Sequence, residues 1–307
     1  MTTNSTLAFV RGEAEGEIAS DIYRQPDPRS YFRLMFGLDY ALPDIAAGVF
    51  RQLVAARARA LGRRIKIVDL GCGYGTSAAL MRYPVDMDDL AHRYRDLDLS
   101  DLDTERLVAL DRHYFQAWPS KIDAEIVGFD LYADALAYAQ DVALIDQAVC
   151  CDFNDGDLTD ADRAALSGAD LIVSTTAADF LSEASFGKLL DAIGGTPWAA
   201  IFAVRVSPMY SLQAAGTARG LETEKLKGTT FVQRRFASTN EWTQVLLALE
   251  NQGIAATGKE SEGLLHSEFF LMRPKSDQDA EAITDLVKLS RGSERTFAGW
   301  RRRPWGV

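Results

Sequence analysis

The chain has 307 residues, of which 47% are hydrophobic, 25% charged and 10% aromatic. This composition is typical of a globular protein and excludes a disordered, fibrous or collagenous one. Acidic residues outnumber basic ones by 44 to 33, which gives a formal net charge of −11. A chain of this sign is poorly suited to neutralise many phosphates, so nucleic acid is not expected as its partner.

The cysteine pattern and the N-terminus bear on where the protein works. Its three cysteines, Cys72, Cys150 and Cys151, form no CxxC pair, which argues against a zinc site or a disulfide framework. The N-terminal residues lack a basic stretch followed by an apolar one, and no apolar run reaches about 18 residues. We therefore expect a cytoplasmic protein that binds no metal and no membrane, and we leave a homodimer open.

The N-terminal part of the chain predicts a helical layer. Residues 1–20 are polar, without clear periodicity, and are interpreted as a loosely docked arm. The following stretch predicts two helices that are broken near Gly37 and Pro43, with Gly62 as a stop signal. Residues 1–62 are accordingly assigned to an arm and a helical cap.

Five short, apolar runs in the middle of the chain predict buried strands. They lie at 65–70, 125–130, 147–151, 170–174 and 198–204. Because helical or irregular stretches separate them, they predict an α/β fold with a doubly wound, mostly parallel sheet. This domain is assigned to residues 63–274.

The end of the chain predicts a change of strand direction. A helix at 240–253 is followed by two strand-like runs, 254–260 and 263–274, which predict a terminal antiparallel β-hairpin. Residues 275–307 predict a C-terminal helix and a basic tail.

About forty residues, 84–124, stand between the first helix of the sheet domain and its second strand, where a few are usual. Their charged and apolar residues alternate in a way that suggests two amphipathic helices. We interpret them as a helical insertion that serves either as a solvated decoration or as a lid beside the site.

The strongest motif is VDLGCGYG (68–75), which follows a predicted strand and precedes a predicted helix. Its glycines permit a tight turn and a close approach of the backbone to a ligand, and the helix N-terminus offers free N–H groups to a carboxylate or phosphate. Thr76 stands where the dinucleotide fingerprint requires its third glycine, which weakens an NAD interpretation.

Together with a second strand that ends in VGFD (127–130), this motif resembles the class I S-adenosylmethionine (SAM)-dependent methyltransferases over roughly 65–274. The resemblance implies SAM as cofactor. The acid of the first strand and the glycine loop would hold the amino-acid end of SAM, and the acid that ends the second strand would hold the ribose hydroxyls of SAM. With neighbouring positions included, the implied cofactor-binding residues are Asp69, Gly71, Gly73, Gly75, Asp130, Leu131, Asp152, Phe153 and Ser174.

Two of these carboxylates have a specific chemical rationale. Asp130 is an acceptor-only group that can take hydrogen bonds from two vicinal hydroxyls, with Asp123 as a weaker alternative. Asp152 in CDFND would accept from the adenine amine while Phe153 packs on the ring, and the alternative is an ordinary turn at a strand end.

Catalytic residues are less well defined. After the fourth strand the sequence reads STTAADF (174–180) and lacks the Asn or Asp, two prolines and aromatic residue of relatives that methylate planar amines. This departure argues against nucleobases and glutamine amides as acceptors. The catalytic candidates are Asp179 as a base, Phe180 near the sulfonium, Tyr31 of the helical cap, and Arg205 after the fifth strand, each with a purely structural alternative.

The predicted function is therefore SAM-dependent methyl transfer to a small-molecule acceptor, in which positioning is the main task. Tyr23, Tyr31, Arg33 and Tyr40 of the cap either bind an aromatic or carboxylate-bearing acceptor or form a helical surface with packed tyrosines. One alternative is an enzyme of the same fold that consumes SAM itself, closing it to azetidine-2-carboxylate and releasing methylthioadenosine. A second alternative is a non-catalytic SAM-binding or scaffold protein.

Overall fold

A computed structural model describes residues 21–289, except 96, 153, 155, 176 and 208. Within this part the chain forms an eight-stranded sheet flanked by helices. The strands are β1 (Ile65–Leu70), β2 (Ala124–Asp130), β3 (Gln147–Cys150), β4 (Leu171–Thr175), β5 (Trp198–Val204), β6 (Glu222–Lys225), β7 (Phe231–Arg235) and β8 (Leu264–Arg273).

The helices stand on both sides of this sheet and in the insertion. They are α1 (Arg29–Gly37), α2 (Leu42–Leu61), α3 (Thr76–Arg82), α4 (Met87–Arg93), α5 (Leu97–Ser100), α6 (Thr104–Gln116), α7 (Ala133–Asp141), α8 (Asp160–Leu166), α9 (Glu183–Ile193), α10 (Tyr210–Thr217), α11 (Thr239–Asn251), α12 (Lys275–Ala280) and α13 (Ile283–Leu286). Short 3₁₀ helices are formed by Ala177–Phe180 and Glu260–Glu262.

The first five strands are parallel and are ordered β3-β2-β1-β4-β5, which confirms the predicted doubly wound α/β sheet. Successive β1 residues point to opposite faces, so Ile67 packs in the core that contains Phe50 of α2, and Val68 in the core that contains Phe186 of α9. The chain runs outward from β1 to β3 and then returns to β4 on the other side of β1. Open α/β sheets bind ligands at such a switch point, beyond the carboxyl ends of the strands.

The antiparallel end of the sheet differs from the predicted hairpin. β8 is antiparallel as expected, but residues 254–260 form no strand, and β8 pairs with β5 on one side and with β6 and β7 on the other. Gly253 and Gly258 adopt left-handed conformations, with φ of 68° and 70°, that turn the backbone away from an extended path. The hairpin prediction is therefore wrong in its first strand.

The helical cap consists of α1 and α2 in the described part of the chain. Helix α2 carries Pro43 in its first turn, where the missing N–H is harmless, and ends at Gly62, whose φ of 65° is left-handed. The loop between α1 and α2 is fastened to β7, because Ala41 N donates to Gln233 O at 2.8 Å. The predicted arm, 1–20, lies outside the described residues.

The insertion contains three helices, α4, α5 and α6, where two were predicted. Arg29 of α1 donates to the carbonyl oxygens of Leu99, Ser100 and Leu102 at 2.9 to 3.1 Å, and Asp27 accepts from Thr104 Oγ1 at 3.0 Å. These bonds join the insertion to the helical cap.

The predicted C-terminal helix is present as two short helices, α12 and α13, and the predicted basic tail lies outside the described residues. Among the described helices, none is both long enough and apolar enough to cross a membrane.

Candidate functional site

A pocket of about 410 Å³ lies at the carboxyl ends of β1 to β4, beneath the helical cap. Its volume is in the range of small-molecule sites. The glycine loop, the residues that follow β2, β3 and β4, and three tyrosines of the cap line it. The lining residues are Tyr23, Tyr31, Tyr40, Pro43, Leu70, Gly71, Cys72, Gly73, Tyr74, Thr76, Ser77, Phe129, Asp130, Leu131, Tyr132, Cys151, Asp152, Asn154, Thr175, Ala177, Phe180 and Leu181.

The glycine loop forms the floor of the pocket. Gly71 N and Cys72 N donate to Phe129 O at 2.8 and 3.2 Å, which ties the loop to the end of β2. Gly71 has a φ of +77°, and a Cβ atom added there would lie 2.0 Å from Ala177 Cβ. Glycine is therefore required at this position both for its backbone conformation and for the close approach of the residues after β4.

Asp130 is buried and links β2 to the glycine loop. Its Oδ2 atom accepts from Gly73 N at 2.8 Å, and its Oδ1 atom accepts from the N–H groups of Leu131 and Tyr132 at 2.7 and 3.1 Å. Burial raises the pKa of Asp130, and the three backbone donors oppose that rise. A carboxylate has about four acceptor positions, so about one remains for a ligand hydroxyl.

Three predicted cofactor-binding residues support the pocket without lining it. Asp69 lies beneath the glycine loop, and burial together with the charge of Asp130 raises its pKa to about 7. Within the described part, the Oδ2 atom of Asp69 has no hydrogen-bond partner, so it is able to accept one from a water molecule or an amine. Gly75 packs against Ala139 and Leu144, and Ser174 is fully buried in β4.

The end of β3 brings Asp152 to the pocket wall. The Oδ1 atom of Asp152 accepts from Asn154 N at 3.0 Å, which forms the turn that the sequence left as an alternative, and the side chain remains exposed to the pocket. Phe153, which was predicted to pack on adenine, lies outside the described residues. The contacts predicted for the cofactor residues therefore stay predictions.

A cluster of tyrosines forms the roof. Tyr23 stacks on Tyr132, with ring centroids 5.3 Å apart and an interplanar angle of 13°, and it also stacks on Tyr74 at 6.1 Å. Tyr31 is tilted against Tyr23 at 5.4 Å. Burial is the main cause that raises the pKa of Tyr23 and of Tyr31, so both hydroxyls stay neutral at physiological pH.

Several residues of the pocket were not predicted from the sequence, among them Tyr74, Tyr132, Asn154, Thr175 and Ala177. Tyr132 stands two positions after Asp130, the acid that ends β2, and Asn154 stands two positions after Asp152, the acid that follows β3. The rule that ligands bind beyond the carboxyl ends of parallel strands was a signal that could have found them.

The four catalytic candidates separate in the structure. Tyr31 and Phe180 line the pocket, and Phe180 is 42% exposed. Asp179 belongs to the 3₁₀ helix after β4, but its side chain lies outside the described part. Arg205 is buried in an ion pair with Glu260, donates to Ala255 O at 2.9 Å and does not line the pocket.

Arg205 therefore has the structural role that was its alternative, because leaving Glu260 unpaired in the protein interior would be costly. Arg33 of the cap is exposed and also does not line the pocket, which removes the predicted bidentate contact with an acceptor carboxylate.

The insertion supports the pocket from behind, and none of its described residues lines it. Asp111 of α6 is fully buried and accepts from Tyr138 OH at 2.6 Å, while Tyr138 packs edge-on against Tyr74 of the glycine loop at 5.8 Å. Arg93 Nη2 pairs with Asp111 at 2.7 Å. These contacts make residues 84–124 a brace for the glycine loop.

Among the described residues, no group of three or more His, Cys, Asp or Glu side chains is arranged to hold a metal ion. The pocket lining contains two carboxylates and, in the described part of the chain, no Lys, Arg or His. Positive charge on a ligand therefore fits this site better than negative charge.

No family model matches this sequence, and no curated protein matches it. Solved structures similar to this chain include the plantazolicin methyltransferase BamL in complex with a triazolic desmethylPZN analog and SAH (11% identity, 89% of this chain, 98% of that chain, TM-score 0.44). The plantazolicin methyltransferase BpumL with a monoazolic desmethylPZN analog and SAH is another (12% identity, 89% of this chain, 96% of that chain, TM-score 0.43). A third is a TehB-like SAM-dependent methyltransferase from Corynebacterium glutamicum (19% identity, 72% of this chain, 86% of that chain, TM-score 0.34). The function proposed below rests on the pocket itself.

Proposed function

We propose that the protein transfers a methyl group from SAM to a small-molecule acceptor. The observation that carries this proposal is the pocket at the switch point of the sheet, where Asp130 is tied to the glycine loop and acidic and aromatic side chains form the walls. SAM has a sulfonium and an ammonium group, which suit such walls, and it supplies an activated methyl whose neutral thioether leaves readily.

The chain's own groups divide the task of holding SAM. The backbone of Gly71 and Gly73 approaches the ligand closely because no side chain intervenes. Asp130 would accept from one ribose hydroxyl, Leu131 would cover the ribose, and Asp152 would accept from the adenine amine. Thr76 and Ser77 line the same pocket, and their hydroxyls would offer donors to the SAM carboxylate.

The cap and the braced glycine loop support the positioning role expected of such an enzyme. Tyr31 and Tyr40 close the pocket from the cap side, which limits access of water to the reacting methyl. All three cysteines are free thiols, which supports the proposed location in the reducing cytoplasm.

The first test is calorimetric titration of the purified chain with SAM and with S-adenosylhomocysteine (SAH). We expect Asp130→Ala to abolish measurable binding, because it removes the carboxylate that holds Gly73 as well as the ribose contact. Asp123→Ala is the matched control. That carboxylate is 89% exposed, pairs with Arg64 at 3.1 Å and does not line the pocket.

The second test is incubation with SAM alone, followed by liquid chromatography and mass spectrometry of the nucleosides. Intact SAM retained by the protein supports a transferase that needs an acceptor. Steady release of methylthioadenosine above the no-enzyme control would identify SAM as the substrate and overturn the proposal, as would equal SAM binding by the wild type and Asp130→Ala.

A further inference from the structure

Among the residues that the structure describes, the lining of the pocket includes no basic side chain that would pair with an anionic acceptor. Arg33, which the sequence offered for an acceptor carboxylate, does not line the pocket. Arg205, which the sequence offered as a catalytic candidate, also lies away from the lining and is paired with Glu260. Arg24 packs on the Tyr132 ring with its guanidinium carbon 5.6 Å from the centroid, but it is exposed and does not belong to the lining.

The charges in the pocket favour a cation even after SAM is bound. Asp130 and Asp152 bring two negative charges to the lining. SAM brings one net positive charge, since its sulfonium and ammonium outweigh its carboxylate. One negative charge remains uncompensated, so an anionic acceptor would be repelled and an ammonium group attracted.

The aromatic side chains that line the pocket also favour a cationic acceptor. Tyr23, Tyr31, Tyr40 and Phe180 line the part of the pocket formed by the cap and the residues after β4. Aromatic faces attract a cation within about 6 Å, and more strongly where water is excluded. Because burial keeps the Tyr23 and Tyr31 hydroxyls neutral, these side chains add hydrogen-bonding oxygens without adding charge.

We propose that the acceptor is an amine and that the pocket discriminates against carboxylate and phosphate acceptors by charge. This inference rests on the proposed function. The ammonium form first releases its proton to solvent. The nitrogen lone pair then forms the N–C bond while the S–C bond breaks and its electron pair stays on sulfur, giving neutral SAH and a methylated ammonium product.

With an amine acceptor the positive charge moves from sulfur to nitrogen and is not neutralised. The same carboxylates and aromatic faces therefore stabilise the charge before, during and after transfer. With a carboxylate acceptor the charge would be cancelled during transfer, and these walls would stabilise the reactants more than the transition state.

The test is a competition between two probes that share a ring and a hydroxyl, tyramine and 4-hydroxyphenylacetate, titrated into SAH-saturated protein. We expect tyramine to bind at least about tenfold more tightly. A preference for the acid, or no preference at probe concentrations up to the solubility limit, would overturn the inference. Binding of SAH is measured first. If SAH does not bind, the proposed function fails; if SAH binds and tyramine is not preferred, only this inference fails.

Two variants of one cap residue test the cause of the preference. Tyr40 is half-buried and belongs to the pocket wall. Tyr40→Phe keeps the aromatic face and should keep the preference for tyramine, whereas Tyr40→Leu removes the face and should reduce that preference severalfold. Equal selectivity of the two variants, each measured at SAH saturation, would refute the aromatic part of the inference.

Discussion

Replacement of Gly71 by alanine tests whether the contact between the glycine loop and the residues after β4 shapes the site. The added Cβ would lie 2.0 Å from Ala177 Cβ, whereas nonbonded carbon atoms prefer about 3.5–4.0 Å. One of the two segments must therefore move by about 1.5 Å or more. Both segments line the pocket, so this shift alters the surface that the ligand meets.

The expected loss of stability has two parts. A φ of +77° costs an alanine about 1–2 kcal/mol. Overpacking of a tight contact costs a further 1–3 kcal/mol or so. Gly168→Ala is a matched control because its φ is +71° and no heavy atom lies within 4 Å of the added Cβ. Gly168→Ala should therefore lose only the stability that the left-handed backbone conformation costs an alanine, about 1–2 kcal/mol.

The double variant Gly71→Ala, Ala177→Gly separates strain from overlap. Removal of the Ala177 methyl leaves Ala177 Cα, at 3.5 Å, as the nearest atom of that residue to the new Cβ, which is an ordinary contact. Calorimetry with SAM should show at least a tenfold higher Kd for Gly71→Ala, no change for Gly168→Ala and substantial recovery in the double variant. Equal weakening in the single and double variants, at matched fold stability, would refute the reasoning.

Three further predictions concern groups outside the pocket. Tyr138→Phe removes a hydrogen-bond donor to buried Asp111, so it should lower the free energy of unfolding by about 1–3 kcal/mol, as measured by urea titration. Calorimetry should show a severalfold higher Kd for SAM, and an unchanged Kd would contradict the role of the insertion as a brace. Arg205→Leu leaves Glu260 buried and unpaired and should cost about 3–5 kcal/mol with no effect on the SAM Kd; a lost SAM affinity would return Arg205 to the site. Burial and neighbouring aspartates raise the pKa of Asp44 to about 7, so its ionisation destabilises the fold as pH rises from about 4 through 7. Asp44→Asn should therefore raise Tm at pH 8 and not at pH 4, and an equal change at both pH values would contradict this cause.

Local patterns in the sequence were sufficient for the parallel sheet. The strands β1 to β5 are short apolar runs that hydrophobic burial forces into the interior, and the glycines of residues 71–75 mark the turn after the first of them. The resemblance to the class I SAM-dependent methyltransferases predicted that Gly71, Asp130 and Asp152 would lie at one site, and parallel strands do place their carboxyl ends at one edge. The structure brings all three to one pocket.

The tertiary structure decided the features that depend on which distant segments pack together. Arg205 follows β5 and could have faced the ligand, but the loop at 254–260 brings Glu260 to it, and a buried charge needs such a partner. The partners of β8 were decided in the same way, because any extended edge can supply backbone hydrogen bonds. The role of the insertion also depends on long-range contacts, since Tyr138, a residue of another helix, links Asp111 to the glycine loop. Periodicity specifies which face of a segment is buried, whereas the packing of the whole chain selects what that face meets.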